Sequence, residues 1–207
     1  MIRSIHQIGF ALAAFAMPCI GLAGFTVVNF EDEVVRSDSS LSNLSISQDD
    51  LTIDIVRSSG MFGIGDFSSA SGTTPFGARS LVPADGGGAF VFNFSKSLSS
   101  FSLQAGDFGE DTDTFLIEAF SGADGSGQRV ATATGDLPPV NAEFTFLTLE
   151  VAGSPFRSIR AGGGAGGNSL IYDNFSAQAI PLPPALLGAL PALSLAAYVS
   201  RRMKRSR

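Results

Sequence analysis

Apolar residues in this chain return at every second position, stretch after stretch. Ala89-Phe90-Val91-Phe92-Asn93-Phe94 sets three phenylalanines on one face, and Phe101, Leu103 and Ala105 alternate with Ser and Gln. Phe115, Ile117 and Ala119 share a face opposite Leu116, Glu118 and Phe120, and Glu143-Phe144-Thr145-Phe146-Leu147-Thr148-Leu149 alternates again. A period of two marks half-buried β-strands, because successive side chains leave a pleated backbone on opposite sides. Further strands are expected at Phe25–Phe30, Leu51–Arg57, Arg129–Thr134, Phe156–Ala161 and Ser169–Ala177. Turn clusters separate them: Ala84-Asp85-Gly86-Gly87-Gly88, Gly122-Ala123-Asp124-Gly125-Ser126-Gly127 and the glycine run Gly162–Gly167. That run precedes no Gly-Lys-Ser/Thr, so it reads as a loop and not as a phosphate cradle. No helical period and no fixed repeat occurs between residues 24 and 179. Nine or ten short strands with Gly-rich turns predict an all-β domain, an antiparallel jelly-roll-like β-sandwich over 24–179.

The chain ends follow other rules. Arg3 and His6 precede an apolar run from Ile8 to Ala23, and Gly21-Leu22-Ala23 offers small residues where a signal peptidase reads. Residues 1–23 are therefore expected to be a signal peptide cut after Ala23. The competing account, an uncleaved anchor, meets a run that is short for a span. A lipoprotein reading of Cys19 is opposed by Pro18 directly before it.

Residues 180–207 form a second address. Pro181, Pro183 and Pro184 hold the chain extended, and Pro184 suits the first helical position. An apolar helix through Val199 would be about 24 Å long against a hydrocarbon core of about 30 Å, so its basic ends must snorkel. Arg201, Arg202, Lys204, Arg205 and Arg207 should stay cytoplasmic. The domain between the two ends then lies outside the cytoplasm. A buried core helix is the alternative for this run, and the acid-free basic tail opposes it.

This order resembles the VPLPA-type branch of the PEP-CTERM sorting signals, with Pro181, Leu182, Pro183, Pro184 and Ala185 as the motif. Here Ile180 stands in place of Val, and Pro184 intrudes before Ala185. The resemblance implies a Gram-negative host and an exosortase-type membrane protease. It also implies an inner-membrane-anchored precursor and a mature form at the cell envelope or in the extracellular matrix, associated with exopolysaccharide or biofilm.

All 19 acidic residues lie between 24 and 179, with seven of the 13 basic ones, so the domain carries a charge of about −12. Such a balance opposes nucleic-acid binding. His6 and Cys19 are the sole His and Cys, and both precede residue 24. The domain has no Ser-His-Asp triad, Cys-His pair, disulfide or His/Cys zinc site. Hydrolysis through paired carboxylates is the enzymatic chemistry left open; no catalytic residue is assigned. Sixteen of the 18 phenylalanines lie in the domain and are expected to form its core.

Asn29-Phe30-Glu31-Asp32-Glu33 and Tyr172-Asp173-Asn174-Phe175 resemble the paired ends of carbohydrate-binding jelly rolls, which hold a structural calcium. The resemblance implies Glu31 and Asp173 as carboxylate ligands, with backbone carbonyls and Asp107 or Asn174 completing the shell. The plainer account is that both acids cap strand ends or face solvent. Asp107-Phe108-Gly109-Glu110-Asp111-Thr112-Asp113 lacks the spacing of an EF-hand and reads as a solvated loop. A sugar-binding platform is expected to use Trp or Tyr; Trp is absent, and Tyr172 is read as an amphipathic surface residue.

Overall fold

The computed structural model describes residues 24–181 other than 69–76, 85–87, 108–110, 140–143 and 164–169. The expected signal peptide with Ala23, Leu182–Ala185 of the expected sorting motif and the basic tail Arg201, Arg202, Lys204, Arg205 and Arg207 lie outside the described residues. A compact unit runs from Ala23 to Pro181. Among the described residues there is no helix, and so none long and apolar enough to cross a membrane.

Eleven strands follow one another: β1 Phe25–Val28, β2 Arg36–Leu41, β3 Asn43–Gln48, β4 Leu51–Arg57, β5 Phe62–Asp66, β6 Arg79–Pro83, β7 Phe90–Asp107, β8 Asp113–Phe120, β9 Arg129–Leu137, β10 Thr145–Gly163 and β11 Ile171–Ala179. All pairings among them are antiparallel. Two pairs of expected short strands are each one long strand. Residues 90–94 and 101–105 lie on the two arms of β7, and 145–149 and 156–161 both fall on β10.

The long strands explain the layering. The first arm of β7 pairs with β4 and with the last residues of β10, which also pair with β8. The second arm pairs with β11 and with the first residues of β10. Pairing slips between Ala152 and Phe156 on β10, opposite Ser100 and Leu98 on β7. Gly153 takes φ 142° there and Pro155 has no N–H to donate, so the ladder breaks and both strands fold over. One leaf therefore runs β3-β4-β7-β10-β8-β9. The other runs β10-β7-β11, with β1 and the β6-β5-β2 run sharing the far edge of β11.

Ring contacts from β8 and the first arm of β7 to β11, segments that share no ladder with it, show the leaves packing face to face. Phe90 meets Tyr172 at 5.2 Å, Phe115 meets Tyr172 at 5.8 Å and Phe92 meets Phe175 at 5.7 Å between centroids. Alternate residues fill the space between: Leu51, Ile53 and Ile55 from β4, Phe115, Ile117 and Ala119 from β8, and Leu98, Phe101, Leu103 and Ala105 from β7. Burying these faces supplies the main stabilising free energy in a domain without disulfides.

The fold-over closes one end of the sandwich. Both ends of the described chain sit there: Ala179 N donates to Gly24 O at 3.3 Å and Ile180 N to Ser97 O at 2.9 Å. The opposite end gathers Arg57, Met61, Asp107, Asp113 and the loops between them.

Candidate functional site

β1 leads into a tight turn whose anchor is Phe30. That ring is fully buried and lies 6.0 Å from Phe175, while Glu33 N donates to Phe30 O at 2.9 Å. With Phe30 fixed, Glu31 reaches the segment entering β6. Its Oε1 accepts from Ala78 N at 2.7 Å and Arg79 N at 3.1 Å. Arg79 Nη1 in turn donates to the carbonyls of Glu31 and Glu33, each at 2.6 Å. The turn, the carboxylate and the start of β6 are thus tied together by charge-assisted bonds.

Asp173 comes from the middle of β11, where pairing with β7 slips between Asp173 and Ser176 and Asn174 adopts φ 46°. Asx side chains tolerate this left-handed conformation better than most. Asp173 Oδ1 accepts from Asn174 N at 2.7 Å and Phe30 N at 3.4 Å. Asp173 Oδ2 is buried and has no donor. Burial pushes the Asp173 carboxyl up to about 7; the two N–H groups pull against that rise, and the charge of Glu31 adds to it.

Glu31 and Asp173 converge on Gly77. A β-carbon at Gly77 would overlap Glu31 Oε1 and come within 2.8 Å of Asp173 Oδ2, and its φ of +103° suits glycine alone. The gap between the two carboxylates therefore exists because residue 77 has no side chain. An all-oxygen donor set with one orphaned buried oxygen fits a hard cation such as calcium, and a soft metal poorly.

The structure brings together the two acids that the sequence singles out, but not the whole expected shell. Asn174 Nδ2 donates to Gln104 Oε1 at 3.0 Å. Asp107 instead joins Asp111 and Asp113, with one carboxylate oxygen from each within 4.8 Å of the others. Asp113 is buried, at the first residue of β8. Tyr172 also corrects expectation: it is 3 % exposed, packed on Phe90 and Phe115, and is core rather than a surface platform. Strand alternation does place it opposite Asp173, but both faces of β11 are covered there. Gly77 and Arg79 were not foreseen; their link to Glu31 spans more than 45 residues and has no periodic signature.

No protein-family profile matches the chain, and no curated protein matches it. Among solved structures, a family 6 carbohydrate-binding module is similar over 75 % of this chain and 95 % of the module, at 15 % identity and a TM-score of 0.36.

Proposed function

We propose that this is an exported, non-enzymatic protein of the cell envelope or extracellular matrix, with a β-domain that holds a structural Ca2+ between Glu31 and Asp173. The carrying observation is the buried, donorless Asp173 Oδ2 facing Glu31 across the side-chain-free position Gly77. Calcium there neutralises two carboxylates that otherwise repel, and fastens the turn after β1 to β6 and β11. A bound ion stabilises the folded state alone, so excess calcium should raise the unfolding temperature and a chelator lower it. Glu31→Gln should shrink the difference; equal unfolding temperatures with calcium and with chelator would remove the ion from the reading.

Export rests on the two chain ends. A signal peptidase acts after Ala23, and the bilayer receives the apolar run after Pro184. An exosortase-type protease reads Pro181-Leu182-Pro183-Pro184-Ala185, and Arg201, Arg202, Lys204, Arg205 and Arg207 stop transfer. The absence of His and Cys from 24–179 removes His- and Cys-based catalysis, and the sorting-signal resemblance supports exopolysaccharide as the partner. The mass of the mature protein from its host reads both processing events; an intact chain dissolved in the cytoplasm would overturn export.

A jelly-roll carbohydrate-binding module is the alternative, favoured by the same carboxylate pair. With Tyr172 buried, its stacking surface would have to come from elsewhere; Phe146, 39 % exposed and stacked on Phe144, is one such ring. A glycan-binding screen of the wild type and Phe146→Ala separates the two: selective, Phe146-dependent binding belongs to the module alone.

A further inference from the structure

We infer that the outer face of β1, carried by Phe25 and Val27, is a bilayer-contact patch that seats the domain on the membrane while its C-terminal segment is still inserted. The inference rests on the proposed membrane insertion of residues after Pro184 and adds a second point of contact.

β1 buries Thr26 and Val28 and turns Phe25 and Val27 outward, 61 % and 52 % exposed. Their partners on β11 are Gln178 and Ser176, so the patch ends at a polar border. Among the described residues β1 pairs with β11 alone, and its other edge carries no strand. Phe25 is the most exposed aromatic ring among the described residues, and it sits beside an unpaired backbone edge.

The tether says what covers it. Phe25 pairs with Gln178, and the chain is still fixed at Ile180 by its bond to Ser97. Four residue steps separate Ile180 from Pro184, a reach of roughly 14 Å at full extension. A domain of this length has a radius of gyration of about 15 Å. The link is therefore no longer than the domain's own radius, which keeps the end bearing Ile180 near the headgroups. Aromatic rings are favoured at that depth.

Charge agrees with this orientation. At the closed end Lys96, Arg129 and Arg157 balance Asp49, Asp50 and Asp124, whereas the opposite end sets Asp107, Asp111, Asp113 and Asp136 against Arg57. An anionic bilayer repels the second surface more than the first. Cleavage after Ala23 would add the ammonium of Gly24 beside Phe25.

The chain has no Trp, so Phe25→Trp gives it a single indole reporter on the patch. The variant in its processed form, Gly24–Arg207, is reconstituted in phosphatidylethanolamine/phosphatidylglycerol vesicles, with Met61→Trp as a control that carries its indole at the opposite end. Insertion is read independently, as resistance to alkaline extraction. The expected result is blue-shifted emission from the Phe25→Trp protein, quenched several-fold more by lipids brominated near the headgroup than emission from the Met61→Trp protein is. If the chain is inserted and the patch indole is quenched no more than the control indole, the patch fails and membrane insertion stands. If the chain does not resist extraction, both fail. A blue shift that disappears on protein dilution, without lipid quenching, assigns the edge to a second copy and also overturns the inference.

Discussion

Asp173 is a carboxylate in a place that favours its neutral form. With its pKa raised to about 7 by burial, the folded protein holds a proton on this group that the unfolded chain releases near the ordinary carboxylate value. Between about pH 4 and pH 7 the native state therefore binds more protons than the unfolded state, and stability must fall as pH rises. The full window corresponds to a loss on the order of 4 kcal/mol in the cation-free protein. Thermal unfolding in chelator should show the midpoint dropping from pH 5 to pH 8, and Asp173→Asn should flatten that profile. A chelated wild type equally stable at both ends of the range would contradict the account. Glu31 and Asp173 were legible in the sequence as a resemblance between two short acidic stretches. Gly77 was not, because its role lies in what it leaves out, beside groups brought near by folding alone.

The strands divide by how plainly they alternate. β4 was read to the residue, since Leu51, Ile53, Ile55 and Arg57 all face inward. β2 and β3 were missed because Ser, Asn and Asp dominate them, and β5 because Gly63 and Gly65 interrupt its Phe62 and Ile64. The fold-overs in β7 and β10 were invisible because alternation reports which face a residue takes, not which leaf. Those arms meet in an aromatic cluster: Phe101 lies 5.6 Å from Phe92, 5.5 Å from Phe94 and 5.8 Å from Phe175. Phe101→Ala should therefore cost about 3–5 kcal/mol, while Phe25→Ala on the outer face stays within about 0.5 kcal/mol. Urea unfolding of the isolated variants measures both, and comparable losses would mean that the outer face of β1 is not outer at all.

At the level of the molecule, the Ala23–Pro181 unit contains its own core and every described strand. Deleting Pro181–Arg207 should yield a soluble domain with unchanged cooperative unfolding, followed by circular dichroism and size-exclusion chromatography. Aggregated or unfolded product would make the tail part of the core. The β-domain was readable from the alternation of its strands, but the meeting of its ends was not, because no local pattern encodes it. Since Gly24 and Ala179 are hydrogen-bonded neighbours, the stretch from 24 to 179 is nearly a closed ring. A short Gly/Ser bridge could seal it, and a fresh start could be cut into the exposed turn between β8 and β9. The sandwich would then be built in a different order of synthesis from the same set of strand pairs.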